Sequence, residues 1–219
     1  MNDNAAPRRG RKSEISRGQI LDAAAAMLRR RGYGNTTLRA IADVAGIQAG
    51  SIYYHFASKD EIMDAVLERG VAAVYEAVRD QLAALPPPST GSDHLRRIET
   101  AVTAHLEALL SHGDYTSASI RTYGEVPEAF QQKAQPLHEA YVVLWQELLG
   151  AAQADGAIRA DLDLSLLRTM LLGSLNWTVE WYDPTLRPVQ DIARQAVDVL
   201  FRGIAPPTVP PTVPPNLKE

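Results

Sequence analysis

Apolar side chains in the first third of the chain recur every three to four positions, which is the period of an amphipathic helix. This pattern predicts a first helix over about residues 13–31, which Gly32 would end. A longer helix is predicted over about residues 59–84, with Ser58 as its N-cap. The proline run at residues 86–88 then forces a break in the helical pattern.

The stretch Thr37–Lys59 predicts two short helices joined by a tight turn. Thr36 or Thr37 is a suitable N-cap for the first helix. Gly46 follows that helix, where a left-handed residue closes a helix without a Cβ clash. Ile52 is expected to bury against the first helix, and Phe56 is also expected to lie in the core. The side chains left exposed would be Gln48, Ala49, Gly50, Ser51, Tyr53, Tyr54 and His55. This arrangement is typical of the helix-turn-helix that enters the DNA major groove.

The remainder of the chain continues the helical pattern, and no strand signal of useful length appears. Further helices are predicted over residues 93–112, 115–123, 127–154, 163–181 and 188–201. Pro136 is expected to kink the third of these helices. The sequence therefore predicts an all-α protein of about nine helices. Residues 205–219 repeat proline, threonine and valine, which is typical of a polyproline-type tail.

The charges are distributed unevenly between the two parts of the chain. Residues 1–60 contain ten Lys or Arg and five Asp or Glu, whereas the remaining residues contain twelve and twenty-one. A basic end joined to an acidic body indicates one domain that binds a polyanion and another with a different task. Residues 1–13, which include Arg11, are predicted to form a flexible basic arm that contacts DNA or only solubilises the chain.

The composition excludes several other classes of protein. The chain has no cysteine, so disulfides, thiolate metal sites and cysteine nucleophiles are impossible. No stretch approaches the roughly 20 apolar residues of a membrane span, and no signal peptide is apparent. The five histidines show no metal-binding spacing, and neither a phosphate-binding loop nor a nucleophile elbow is present. We therefore expect a cytoplasmic protein that is not an enzyme and has no metal or cofactor.

The segment over residues 14–65 resembles the TetR family of bacterial transcriptional repressors. The matching motifs are Thr36-Thr37, Ile41-Ala42, Ala45-Gly46-Ile47, Ser51-Ile52-Tyr53-Tyr54-His55-Phe56 and Ser58-Lys59-Asp60-Glu61. The resemblance implies that Gln48, Ala49, Gly50 and Ser51 meet base edges, where glutamine can read adenine. It implies phosphate contacts for Thr37, Arg39, Tyr53, Tyr54, His55 and Lys59. One of the two tyrosines could instead pack inward.

The resemblance also implies a homodimer, which would form through helices 163–182 and 188–203. In that family the middle helices enclose a pocket for a small-molecule effector that releases the dimer from double-stranded operator DNA. The corresponding effector candidates are His105, Arg121, Tyr123, Tyr141, Trp145, Met170, Trp177 and Trp181. Trp177 and Trp181 form either a wall of this pocket or a packing surface in the core or the dimer. The segment 176–184 further resembles regulators that sense acyl-CoA thioesters of lipid and steroid breakdown.

We therefore predict a ligand-responsive repressor that binds a near-palindromic operator as a dimer. The predicted parts are a basic arm (1–13), a DNA-binding domain (14–60), an effector-binding and dimerisation domain (61–204) and a proline-rich tail (205–219). Alternatives are a TetR-like activator, an effector-insensitive regulator, or a helical ligand carrier or enzyme whose basic end is incidental.

Overall fold

Helices account for nearly all of residues 6–122 and 133–202, the parts of the chain that the computed structural model describes. Side chains are described for residues 16–122 and 133–201. In chain order the helices are α1 (Ala6–Arg31), α2 (Leu38–Ala45), α3 (Ala49–Ile52), α4 (Lys59–Ala83), α5 (Gly91–Ser111), α6 (Gly113–Thr122), α7 (Ala134–Ala154), α8 (Leu164–Asn176), α9 (Thr178–Trp181) and α10 (Val189–Arg202). These ranges contain no strand, so the all-α prediction is confirmed.

The described residues form ten helices instead of nine because the predicted helix over residues 163–181 is interrupted at Trp177. The chain tightens there: the amide of Glu180 donates to the carbonyl of Trp177 three residues earlier, at 3.1 Å. The hydroxyl of Thr178 donates to the carbonyl of Leu175 at 2.7 Å, which also favours the tighter turn.

The N-terminal helix begins earlier than the sequence pattern predicts. Helix α1 starts at Ala6, so residues 6–13 are helical and do not form an irregular arm. Pro7 lies in the first turn, where a missing N–H breaks no helical hydrogen bond. The arginines and the lysine that follow are good helix formers, and these two facts explain the extension.

Pro136 also lies in a first turn and not inside a long helix. Helix α7 begins at Ala134, with Lys133 as its N-cap, so the predicted kink is absent. The predicted helix start at Pro127 lies outside the described residues. The predicted start of α4 is confirmed, because Ser58 Oγ accepts a hydrogen bond from the Glu61 amide at 3.1 Å.

Two apolar cores lie at the two ends of α4. The first part of α4, including Ile62 and Val66, packs with α1, α2 and α3. The later part, including Val74 and Val78, packs with α5, α7, α8 and α10. Helix α6 adds Ala118 to the first core although it follows α5 in the chain. Helices α4 and α6 therefore join the N-terminal unit to the helical body.

Candidate DNA interface and effector cavity

The helix-turn-helix is held by a left-handed glycine and two buried side chains. Gly46 has φ +68°, and its amide donates to the carbonyl of Asp43 at the end of α2. Ile52 and Phe56 are buried beneath the second helix, as predicted. The guanidinium of Arg17 on α1 lies 4.8 Å from the centroid of the Phe56 ring, so α1 braces the same unit.

The surface around α3 carries the residues that the sequence predicts to contact DNA. Exposed members are Thr37, Arg39, Gln48, Ala49, Gly50, Ser51, Tyr53 and Tyr54. Tyr53 is 63% exposed and Tyr54 is 81% exposed, so neither tyrosine packs inward. His55 is half-buried, and its ring lies edge-on to Tyr54 with 5.0 Å between centroids. The side chain of Arg11 lies outside the described residues.

Thr37 and Lys59 each make a contact within the protein that bears on their predicted phosphate contacts. Thr37 is the N-cap of α2 and accepts a hydrogen bond from the Ala40 amide at 3.3 Å. Lys59 Nζ donates to the Tyr33 carbonyl at 3.0 Å and lies 3.9 Å from the centroid of the Tyr33 ring. Lys59 therefore fastens the start of α4 to the loop after α1, and only part of its donor capacity remains for DNA.

A cavity of about 210 Å³ lies in the helical body, between α4, α5, α6, α7 and α8. The residues that line it are Gly70, Val71, Val74, His105, Leu109, Thr116, Ser119, Ile120, His138, Tyr141, Leu172 and Asn176. A mainly apolar wall with a few convergent polar groups is typical of a small-molecule site. Two of the predicted effector residues, His105 and Tyr141, are among these residues.

A buried hydrogen-bonded chain forms the polar side of this cavity. His105 Nδ1 lies 2.7 Å from the Tyr141 hydroxyl, and its Nε2 lies 3.1 Å from Oδ1 of Asn176. Burial lowers the pKa of His105 to about 4, although the bond to Asn176 opposes this shift. The imidazole is therefore neutral at pH 7. Because Oδ1 only accepts, Nε2 carries the proton and Nδ1 accepts from Tyr141.

We expect the buried imidazole to make the protein less stable in acid. An unfolded histidine takes up a proton below its ordinary pKa of 6.5, whereas folded His105 stays neutral down to about pH 4. The unfolded state thus binds more protons in this window, and stability falls by about 3 kcal/mol as pH falls through it. Urea unfolding of wild type and His105→Gln at several pH values measures this slope. An equal slope in the variant would contradict the assignment to His105.

The other predicted effector residues lie away from the cavity. Trp145 is fully buried behind Tyr141, with 6.2 Å between ring centroids. Arg121 points to the surface and pairs with Glu180 at 2.8 Å. Met170, Trp177 and Trp181 lie on an outward face of α8 and α9 and are exposed in the single chain. Tyr123 lies outside the described residues.

Several lining residues were not predicted as site residues. Ser119 and His138 come from helices whose apolar period is weak, so their inward direction is not evident from the sequence. Gly70 did carry a signal, because a glycine inside a long helix indicates close packing. A Cβ there would lie 2.6 Å from the Tyr115 carbonyl oxygen and 2.9 Å from Ser119 Cβ. Gly70 therefore allows α4 and α6 to touch beside the cavity.

Helix α6 has its other face against α1. The Tyr115 hydroxyl donates to Oδ1 of Asp22 at 2.6 Å and accepts from Arg69 at 3.0 Å. Arg29 and Asp114 form an ion pair at 2.8 Å. Burial and the bond to Asp22 raise the pKa of Tyr115, so its hydroxyl remains protonated and keeps donating at physiological pH. The same helix thus contacts both the cavity and the N-terminal unit.

The described residues hold no cluster of three His, Cys, Asp or Glu side chains that could bind a metal ion. Among the helices in these same ranges, none is long and apolar enough to cross a bilayer.

Family models match both parts of the chain. Residues 20–66 match the model described as "Bacterial regulatory proteins, tetR family", and residues 91–204 match "Tetracyclin repressor-like, C-terminal domain".

Relatives and solved structures agree with these models. The repressor KstR2 of Rhodococcus jostii is 30% identical, over 94% of this chain and 96% of its own length. The structure of the ketosteroid transcriptional regulator KstR2 of Mycobacterium tuberculosis is 28% identical with a TM-score of 0.72, over 87% of this chain and 95% of that one. The fatty acid metabolism regulator protein of Bacillus subtilis is 25% identical, over 74% of this chain and 80% of its own length.

These matches confirm the predicted function, a ligand-responsive transcriptional repressor and not an enzyme. The exposed surface of the helix-turn-helix and the cavity in the helical body are the candidate sites for DNA and for a ligand. The chain belongs to the TetR family of bacterial regulatory proteins.

Proposed function

We propose that this repressor binds a near-palindromic operator as a homodimer and is released when a small hydrophobic molecule fills the cavity in its helical body. The observation that carries this proposal is the position of α6. Thr116 and Ser119 of α6 line the cavity, while Tyr115 of the same helix contacts α1. A ligand that displaces α6 therefore also displaces the DNA-binding unit.

The dimer would form through the outward face of α8, α9 and α10. In the single chain this face exposes Leu166, Met170, Trp177 and Trp181, which are large apolar side chains. Apolar side chains gathered on one face indicate a protein interface, because soluble monomers rarely expose such a patch. Two copies of the helix-turn-helix would then enter successive major grooves of the operator.

The energetics of release would follow from unequal binding to two conformers. An effector shifts the equilibrium only as far as it binds the DNA-incompetent conformer better. Helix α4 is the second connection, because it begins beside the helix-turn-helix and continues into the body core. Gly70 places α4 in direct contact with α6, so the two connections move together.

We infer that the effector comes from steroid or fatty acid breakdown, including the acyl-CoA thioesters that regulators of this type sense. The names of the relatives support this class, since they describe a ketosteroid regulator and a fatty acid metabolism regulator. The mainly apolar lining of the cavity suits a segment of the hydrocarbon part of such a molecule, and the remainder would lie outside the cavity. We further propose that the protein acts in the cytoplasm, where its operator lies.

On the DNA surface we expect two kinds of variant. Tyr54→Ala should weaken binding to every sequence by about tenfold, because the exposed tyrosine contacts phosphate and not bases. Gln48→Ala should lower affinity mainly for the operator and so relax base preference at one position of each half-site. Fluorescence anisotropy with operator and scrambled DNA measures both. Val44→Ala, on the exposed side of α2, is the control.

Equal losses on both DNAs for Tyr54→Ala and Gln48→Ala would contradict this division of roles.

The proposed function itself is tested by a gel shift with DNA from upstream of the gene, with competitor DNA present. Absence of sequence-selective binding would favour a ligand carrier instead. A reporter driven by the same operator separates a repressor from an activator, and titration with candidate acyl-CoAs separates it from an effector-insensitive regulator.

A further inference from the structure

The polar side of the cavity has hydrogen-bonding capacity that the protein does not use. Asn176 accepts from His105 through Oδ1, but within the described ranges its Nδ2 amide makes no hydrogen bond. The hydroxyl of Ser119 likewise has no hydrogen-bond partner there. Both residues line the cavity. Asn176 is only partly buried, and both groups open onto the cavity, so they are available to pair with a molecule that occupies it.

The charges of the residues that line the cavity also bear on which ligand atom can bind there. His105 is neutral at pH 7 because of its burial. Burial also lowers the pKa of His138, and the nearby Arg168 lowers it further. Arg168 itself is not one of the lining residues, and every other described residue of the lining is uncharged. Arg168 lies eight residues before Asn176 on α8, about 12 Å along the helix. A carboxylate held at Asn176 would therefore lose its hydration without a cation beside it, which is costly.

The direction of the hydrogen-bonded chain determines which ligand atom fits. Tyr141 donates to His105, and His105 donates to Asn176, so the chain ends in the two N–H groups of the Asn176 amide. These groups can only donate. Their partner is therefore an acceptor, and because no lining residue beside Asn176 is a cation, an uncharged acceptor is favoured.

We propose that the cavity selects an effector by an uncharged oxygen, a ketone or a hydroxyl group, which accepts a hydrogen bond from Asn176 and contacts Ser119. The remainder of the enclosed ligand would be apolar. A cavity of about 150 Å³ holds benzene, so the 210 Å³ here admits a body of about eight to ten non-hydrogen atoms. This inference rests on the proposed function and names the chemistry of its ligand.

The test uses three probes of nearly equal size: acetophenone, ethylbenzene and benzoate. Isothermal titration calorimetry at pH 7 with the full chain is expected to show acetophenone binding about tenfold more tightly than ethylbenzene. Benzoate is expected to bind at least tenfold more weakly than acetophenone. Benzoate that binds as tightly as acetophenone, or acetophenone that does not bind at all, would overturn the proposal.

Single-residue variants test whether Asn176 causes the preference for acetophenone over ethylbenzene. Asn176→Leu should lower acetophenone affinity about tenfold and leave ethylbenzene affinity unchanged. Ser119→Ala should reduce the ratio of acetophenone affinity to ethylbenzene affinity about threefold. Gln146→Leu, which replaces an exposed amide on α7 outside the cavity and the proposed interface, is the matched control and should change neither affinity. If Asn176→Leu fails to fold by circular dichroism, Ser119→Ala decides. An unchanged ratio in the folded cavity variants would refute the assignment.

Operator binding measured with the same probes separates this inference from the proposed function. Acetophenone selectivity without any loss of operator binding would support the ligand chemistry and refute release through this cavity. Release of the operator by benzoate, lost in Asn176→Leu, would support release through the cavity and refute an uncharged ligand oxygen.

Discussion

Replacing Trp177 by glutamate is expected to convert the dimer to a monomer and to weaken operator binding by a hundredfold or more. Trp177 is 66% exposed in the single chain, and Trp181, one turn later, is 54% exposed. A carboxylate at the centre of the proposed interface would have to be buried without a partner. A monomer engages only one half-site. It therefore loses the high effective concentration at which a dimer presents its second helix-turn-helix to the second half-site.

Sedimentation velocity and operator anisotropy on the same samples measure the two effects together. Val143→Glu is a matched control, because Val143 is a similarly exposed apolar residue on α7 and lies outside the proposed interface. That variant should remain dimeric and bind the operator normally. A Trp177→Glu protein that stays dimeric would show that α8 and α9 do not form the interface.

The second large effect is expected at Gly70, where alanine should destabilise the protein by about 2 kcal/mol. The added Cβ would lie 2.6 Å from the Tyr115 carbonyl oxygen, which belongs to the backbone and cannot rotate away. Helices α4 and α6 must therefore separate. Because α6 also contacts α1, we expect operator affinity to fall with stability, and the response to effectors to weaken.

Gly150→Ala provides the control for Gly70→Ala. Gly150 also lies inside a long helix, but a Cβ there would meet only Leu164 Cδ1, at 4.0 Å. Alanine at that position should stabilise the helix slightly, by about 0.5–1 kcal/mol. Chemical denaturation gives both values, and calorimetric titration gives the effector response. A Gly70→Ala protein as stable as wild type would show that the α4–α6 contact is not tight.

Local features of the sequence predicted the N-terminal unit well because its structure depends on short-range rules. The N-cap at Thr37, the left-handed Gly46 and the cap at Ser58 each follow from the residues within four positions. The same rules placed Ile52 and Phe56 in the core and the surface of α3 outside it. Only the start of α1 differed, since helix-forming residues extend it past the predicted cap.

The cavity could not be predicted in the same way. Its wall joins residues as far apart in the chain as Gly70 and Asn176, and helical periodicity shows only that a side chain faces inward. Whether that side chain meets another helix, an empty space or a second subunit depends on how the helices pack. The effector candidates inferred from the family therefore lie in different places. His105 and Tyr141 line the cavity, whereas Trp181 lies on the outer face.

The sequence by itself determined the helices, their caps and the polar surface of the helix-turn-helix, because each depends on neighbouring residues. It also predicted that a second, acidic domain would respond to a ligand. Only the tertiary structure decided that α6 contacts both the cavity and α1, and that a buried neutral His105 leaves the Asn176 amide free. Those facts depend on burial and on distances between helices, which no local pattern contains.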